Sequence, residues 1–456
     1  MQDITRLILP DVREHLAQGD HEDVARELER LHPADIADIL SHLDPEEGAA
    51  LFLALSPKDR VDVFEHLDES VQVDLVERVG RGPMVEVIEA LSSDDRADLI
   101  QALPEETRKE ILPLLAQADR NEVRRLLSYP EDSAGALMST EFAAIPPDIT
   151  VREALESLRR IAPSRETIYY IYVLDENQRL VGVLSLKDLV LAHPDDRIQD
   201  IMTKDVIEVR VDDDQEEVAR AVEKYDFLAI PVVDDLGRMV GIVTQDDVMD
   251  VLKEEATEDA QKMAAMEPLE ASYLRSGFFE LVRKRGTWLV LLFFGELITS
   301  QTLAAYESTW SSLAILVALI PLINSSGGNT GGQSAVLVIR SLALGEITPG
   351  DWFRVVLREI GQGLVLGMIL ALVGVCRVLF WGDAGNVVPE MRLALAVALS
   401  LLTVVTLGAF LGSTIPMVFK KLGMDPAVMS NPSLSVTMDI LGMLTYFNVV
   451  RLVLQI

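Results

Sequence analysis

Asn324-Ser325-Ser326-Gly327-Gly328-Asn329-Thr330-Gly331-Gly332-Gln333 interrupts a long apolar stretch with small and amide-bearing residues. No Lys-Ser or Lys-Thr follows it, so it is not a nucleotide P-loop. Two readings stay open. The glycines let helices pack closely, or the backbone opens so that carbonyls and the Asn and Gln amides meet a hydrated ion. Around this segment lie five apolar stretches, about 288–306, 311–344, 353–381, 392–419 and 427–456. Several exceed the roughly 20 residues that cross a bilayer, so tilt or a break is expected. A second intrusion is Asp439, in Ser435-Val436-Thr437-Met438-Asp439-Ile440-Leu441-Gly442-Met443, with no Lys or Arg beside it. A lone carboxylate inside a span costs at least about 2.5–3.5 kcal/mol, so Asp439 is expected to face water or a cation. The spans hold no His and one Cys, Cys376, which disfavours softer metals. Oxygen donors such as Asp439 and Asn329 suit Mg²⁺ or Ca²⁺, and a sparse site that touches a hydrated ion suits Mg²⁺ better.

Charge divides the chain near Gly286. Of 73 acidic and 40 basic residues, nine and eight lie from Gly286 onward, leaving a net of −32 in front of it. An acidic soluble part is thus joined to a nearly neutral apolar part, and nucleic acid is excluded as a partner. One cysteine allows no intramolecular disulfide. The six His (15, 21, 32, 42, 66 and 193) show no ligand spacing. The apolar run Leu7-Ile8-Leu9 stops at Pro10, so no secretory signal is expected and the N-terminal half is expected in the cytosol. Arg283-Lys284-Arg285, then Arg340, Arg354 and Arg358, then Lys420-Lys421 agree with an N-terminus inside. Five spans would place the C-terminus outside.

Residues 31 to 115 repeat every twelve positions, in blocks that begin at Leu31 (LHPADIADILSHL), Leu43, Leu55, Leu67, Val79, Leu91 and Leu103. Each has a cap-like residue, often with Pro at the first helical position, then carboxylates, then an apolar face. A period this short predicts one two-turn helix and a turn per unit, stacked into a helical superhelix. Locally, Asp94, Asp95 and Glu105 compensate helix dipoles; together the units make an acidic surface.

Residues 137 to 252 hold two longer copies, each reading strand, helix, strand, turn, strand, helix, with β-branched runs at 168–174 and 228–233. Both carry hydroxyl-x-x-Asp after a strand, as Ser185 to Asp188 and Thr244 to Asp247. This pair resembles tandem cystathionine-β-synthase-type (CBS) domains. The resemblance implies an adenine nucleotide, with Asp188 on the ribose, Ser185 near phosphate, Tyr170 and Phe227 about the base, and Lys187 facing the phosphates. The alternative is that Asp188 and Asp247 only cap the helices that follow.

From 251 to 283 the pattern reads helical, with like-charged i,i+4 pairs Glu254–Glu258 and Glu255–Asp259. Such pairs destabilise an isolated helix by a few tenths of a kcal/mol each, which fits a helix completed by divalent cations.

With these parts in order, the chain resembles the MgtE family of magnesium channels. The matching signatures are GGNTGGQ, the Asp425-Pro426-Ala427 turn, Ser430-Asn431-Pro432 and the 437–442 segment around Asp439. The resemblance implies a multidomain membrane protein of α and α/β parts. Its helical superhelix would span 1–130, the tandem CBS pair 131–252, an acidic connecting helix 253–285 and a five-helix transmembrane domain 286–456. It also implies a homodimer with the pore between two membrane domains. By position, Asp439, Asn329 and Asn431 would serve the pore. The cytosolic sensing carboxylates would be Asp62, Asp94 and Asp98, then Asp214, Glu216, Asp226, Asp247 and Asp250, then Glu255, Glu258, Asp259 and Asp425. Asp62 transfers by repeat register alone, and Glu296 belongs to no motif. The expected function is a Mg²⁺ channel of the cytoplasmic membrane, closed by intracellular Mg²⁺ and modulated by ATP. The alternatives are an ion-coupled transporter of another divalent cation (Co²⁺, Mn²⁺) with a nucleotide-sensing CBS pair, and a membrane-anchored nucleotide sensor. No nucleophile–base set suggests an enzyme.

Overall fold

The computed structural model describes residues 2–269, 273, 276–310, 314–381, 389–428 and 431–455. They divide into two compact units, Met1–Lys253 and Glu254–Ile456.

In the first unit the twelve-residue period becomes short helices, among them Pro33–Ser41, Pro45–Ala54, Pro57–Phe64, Glu69–Val79, Arg81–Ala90 and Ser93–Ala102. Pro33, Pro45 and Pro57 each occupy the first turn, where a missing N–H leaves no helical bond unmade. Each helix packs on the one two units along, so that alternate helices stack. Ile36, Phe52, Phe64, Leu75, Ile88 and Ile100 form a continuous core along the stack. The tandem copies then make two three-stranded sheets. One is β1 (Phe142–Ile145), β2 (Thr167–Leu174) and β3 (Leu180–Ser185); the other is β4 (Val209–Arg210), β5 (Ala229–Val233) and β6 (Met239–Thr244). In each sheet the first pair is parallel and the second antiparallel. Equivalent registers, Tyr170 opposite Ser185 and Ala229 opposite Thr244, put the two hydroxyls at matching strand ends.

The connector departs from expectation. Its helix, Gln245–Met263, does not run on to 283. Ala265 takes φ +53°, its N–H bonds Lys262 O at 2.9 Å and Met266 N–H bonds Gln261 O at 3.1 Å. This is a Schellman stop, and Pro268 follows it. Helix resumes at Phe278.

Five long helices follow: Phe278–Trp310, Ala314–Ala343, Trp352–Trp381, Glu390–Lys421 and Asn431–Leu454. Four contain stretches long and apolar enough to cross a membrane: Phe278–Ala305, Pro349–Phe380, Glu390–Lys421 and Pro432–Leu454. The second helix is comparably long, but its polar interior dilutes it. The fourth helix is central, packing on the second, third and fifth, while the first lies against the fifth.

Candidate functional site

The glycine segment is helical throughout, so the opened backbone is not what the structure shows. Gly327 and Gly331 meet Gly408 and Gly412 of the fourth helix. A Cβ on Gly408 would stand 2.3 Å from Gly327 O, and one on Gly412 would stand 2.1 Å from Gly331 O. Two small-xxx-small faces therefore bring two backbones into contact, which is the close-packing reading of those glycines. That packing carries the polar side chains between the glycines along the fifth helix.

Asp439 is half-buried there, and no Lys or Arg among the described residues pairs with it. An amide that meets its backbone is that of Asn324. Asn324 is 5% exposed, and its Nδ2 donates to the Asp439 carbonyl at 3.2 Å. Asn329 is exposed on the second helix, its Nδ2 3.4 Å from Ser325 Oγ. The side chain of Asn431 lies outside the described residues.

At the end of the connector, Glu258 and Asp425 are brought together by a lysine. Lys262 Nζ stands 2.5 Å from Glu258 and 2.7 Å from Asp425. Burial works against the ammonium charge, but hydrogen bonds and attraction from both carboxylates hold Lys262 above the ordinary lysine range. The other Asp425 oxygen accepts from Ala427 N–H at 2.8 Å and starts the turn Pro426–Val428. Glu255 and Asp259 lie on the same helix, each half-buried.

Several carboxylates of the first unit meet at the start of the Ser93–Ala102 helix. Ser92 caps it, accepting from Asp95 N–H at 3.4 Å, so Asp94 and Asp95 occupy the first turn. Asp94 is buried, and its Oδ1 has no hydrogen-bond partner. Asp94, Asp95 and Asp246 all press their charge on Glu166 and Asp247. Burial first, and then these charges, push Glu166 up to about 8. Burial with Asp95 and Asp62 pushes Glu65 up to about 7. Asp94 and Asp247 rise well above the carboxylate range for the same two reasons. Asp250 acts on Asp95, and Asp98 is exposed one turn along the same helix. Arg96, 4% exposed, gives its Nε and Nη2 to the Ile88 and Leu91 carbonyls at 3.0 and 2.7 Å, and its Nη1 lies 3.3 Å from Asp119 and 3.5 Å from Glu122. Among the described residues, no three His, Cys, Asp or Glu converge as a metal cage. A charged wall of this kind suits a hydrated cation better than a stripped one.

Three expected sensing residues have local partners or a local place in the fold. Asp214 caps the Gln215–Tyr225 helix, accepting from Glu216 N–H at 2.9 Å, and Glu216 pairs with Arg220. Asp226 ends that helix at φ +53°.

At the expected nucleotide site, Ser185 and Asp188 form a reciprocal capping box, with Ser185 Oγ donating to Asp188 Oδ2 at 2.6 Å. Those bonds hold the exposed Asp188 below the usual carboxylate range, so it stays an ionised acceptor. Thr244 donates to Asp247 in the same way at 2.5 Å. Tyr170 and Phe227 do meet, but edge to face, with centroids 6.4 Å apart and planes at 81°. Phe227 stacks on Tyr225 instead, at 5.5 Å. A base would have to part Tyr170 and Phe227. Lys187 is exposed beside Asp188.

Family comparison matches this order of parts. Residues 31–132 match the MgtE intracellular N domain, 134–195 and 198–254 the CBS domain, and 320–449 a divalent cation transporter model. The magnesium transporter MgtE of Thermus thermophilus is 45% identical over 72% of this chain and 71% of its own length. The chain belongs to the MgtE family of magnesium transporters. The Bacillus subtilis MgtE is 37% identical over 71% of this chain and 70% of its own. A solved cytosolic domain of the Mg²⁺ channel MgtE in complex with ATP covers 53% of this chain and 99% of itself, at 42% identity and TM-score 0.51. The soluble part of a magnesium transporter covers 55% and 99%, at 35% identity and TM-score 0.51. MgtE membership makes this a membrane transporter and not an enzyme.

Within this MgtE chain, the sequence pattern passed over Glu65, Glu141, Glu166 and Asp246 in the acidic wall, and Asn324 beside Asp439. Burial and long-range packing select those residues, and neither leaves a local spacing. Asn324 does open the glycine segment, eight residues before Gly332, and its place inside the helix is the signal that was there to use.

Proposed function

We propose that this chain is a Mg²⁺-selective channel of the cytoplasmic membrane, conducting passively as a homodimer and closed by cytosolic Mg²⁺. The observation that carries the reading is Asp439: a half-buried carboxylate on the last apolar helix, held by Asn324 through its backbone and paired with no basic side chain among the described residues. A carboxylate so placed favours a cation on its path. With its symmetry mate it would contact the waters of hydrated Mg²⁺ and avoid the cost of stripping them. Asn329 and Asn431 would line the same path.

Closure follows from charge. Asp94, Asp95, Glu166 and Asp247 are crowded enough to resist ionising together, and a divalent cation beside them would favour their ionised forms. Mg²⁺ that binds the compact form better than the loosened one shifts the population toward it, and several weak sites make the response steep. Asp62, Asp98 and Asp250 would extend this wall, while Asp214, Glu216 and Asp226 would serve a separate surface. Glu255, Glu258, Asp259 and Asp425 would set the connector at the inner mouth. ATP would bind at Ser185, Lys187 and Asp188 with Tyr170 and Phe227, a reading favoured by the ATP complex of the related cytosolic domain. The division into 1–130, 131–252, 253–285 and 286–456, with the N-terminus in the cytosol and the C-terminus outside, belongs to the same proposal.

Recording from the reconstituted full chain while Mg²⁺ is stepped on the cytosolic face tests it. Current should fall as Mg²⁺ rises and should reverse at the Mg²⁺ equilibrium potential. A current indifferent to cytosolic Mg²⁺, or a reversal potential set by another gradient, would refute the channel reading.

A further inference from the structure

We propose that Glu296, in the first long helix, is a second carboxylate of the ion pathway and takes the cation together with Asp439. This rests on the pore reading of Asp439 and adds a specificity-determining residue to it. The first helix is seated on the last at this level: a Cβ on Gly295 would come within 2.4 Å of Val436 Cγ1. The next residue, Glu296, comes within hydrogen-bonding range of the Asp439 carboxyl. Two carboxyls at hydrogen-bonding range have their oxygens at a separation that a single cation can share.

A third oxygen lies one turn along the last helix. Ser435, Asp439 and Gly442 share a stripe of the last helix at i, i+4 and i+7. Gly328 approaches Ser435, and Asn324 approaches Gly442, so the stripe faces the second helix. Asn324 is 5% exposed, its Nδ2 is committed to the Asp439 carbonyl, and its Oδ1 has no hydrogen-bond partner. That Oδ1 lies 3.2 Å from where a Gly442 Cβ would stand, one turn along from Asp439. A buried amide oxygen left unpaired costs about 1–3 kcal/mol, and a hydrated cation held at the Glu296–Asp439 pair would satisfy it through water. Glu296 itself is exposed on an apolar span, where a carboxylate is costly unless water or an ion meets it. With both carboxylates ionised around a bound cation, the pair doubles the charge that one protomer offers a divalent ion, and a monovalent ion gains less from it.

The test uses the full chain in liposomes, with Glu296→Gln, Glu296→Asp and Asp439→Asn, reading the Mg²⁺ concentration for half-maximal flux and the Mg²⁺-to-Na⁺ permeability ratio. Glu296→Gln should raise the half-saturating Mg²⁺ about five-fold or more and lower the permeability ratio, and Glu296→Asp should recover most of both. Wild-type values in Glu296→Gln, alongside an inactive Asp439→Asn, would overturn the role of Glu296 and leave the pore reading standing. Normal flux in a folded Asp439→Asn would overturn the pore reading and this one with it. If Glu296→Gln does not assemble, Glu296→Ala is read in its place: a lowered permeability ratio supports the role, and a wild-type ratio refutes it.

Discussion

Lys262 Nζ lies 2.7 Å from Asp425 Oδ2, joining the end of the connecting helix to the turn before the last helix, 163 residues away in sequence. The same ammonium is 2.5 Å from Glu258, so a tethered cation occupies the gap between two carboxylates expected to hold Mg²⁺. Met263, beside it, packs on Ala335, Ile339, Ala427 and Leu434. These contacts hold the end of the connector against the membrane helices through the chain's own side chains. Lys262→Gln should therefore raise the current seen in Mg²⁺-free cytosolic solution. Allowing for solvent screening of a partly exposed pair, the loss is about 1 kcal/mol, or roughly a five-fold shift toward the open form. Equal currents from mutant and wild type in EDTA would show that Lys262 does not hold the closed form.

Asp439→Asn keeps the shape of the side chain and removes its charge. Because no basic partner among the described residues is orphaned by the change, the helix bundle should stay folded, with an unchanged elution volume and thermal midpoint. Mg²⁺ flux into liposomes should nonetheless be lost. Wild-type flux in that variant would place the pathway elsewhere.

Much of the fold can be read from local pattern, because its causes are local. Pro33, Pro45 and Pro57 stand at helix starts as the repeat predicts. The β-branched runs become β2 and β5 within a residue of their expected limits. The failures come where the cause is distant or weakly marked. The connector stops at a left-handed alanine, Ala265, where a glycine would have announced the stop. The segment 324–333 stays helical because its glycines fit Gly408 and Gly412, some eighty residues away. Glu166 and Glu65 belong to the acidic wall only through burial beside Asp94 and Asp95, which no periodicity records.

The acidic wall makes stability depend on pH. Glu166, held near 8, and Glu65, held near 7, keep protons in the folded state that they lose at about 4.5 when unfolded. Between those values the folded state binds more protons, so stability falls as pH rises. In EDTA, the thermal midpoint of residues 1–253 should drop by a few degrees from pH 6 to pH 8.5. Mg²⁺ should raise it more at pH 8.5, where the carboxylates are ionised. A midpoint that climbs with pH, or a Mg²⁺ effect larger at pH 6, would contradict the charge-repulsion account.

At the nucleotide site, Asp188 does two jobs that one substitution separates by readout. Asp188→Ala removes the capping box with Ser185, costing about 1 kcal/mol of stability. It should also weaken ATP binding by roughly 1.5–3 kcal/mol, the worth of a hydrogen bond to a charged acceptor. Titration calorimetry on residues 1–253 reads the second effect and thermal unfolding the first. Wild-type protein that gives no heat with ATP would leave Asp188 a cap alone.

The seam between the second and fourth long helices should tolerate no side chain at all. A Cβ on Gly412 would lie 2.1 Å from Gly331 O and 3.0 Å from its Cα, and these are backbone atoms that no rotamer change can move aside. Gly412→Ala must push the two helices apart. That separation loosens Gly327 from Gly408 as well and shifts Asn324 away from the Asp439 carbonyl. Overpacking of this kind costs about 1–3 kcal/mol, and here it falls on the seam that positions the pathway. Gly361→Ala is the control, since its Cβ meets nothing within 4 Å. In detergent, Gly412→Ala should unfold at a lower temperature than wild type and lose most Mg²⁺ flux after reconstitution, while Gly361→Ala keeps both. If Gly412→Ala matched wild type in midpoint and flux, the backbone contact between these helices would not be what sets Asn324 and Asp439 in place.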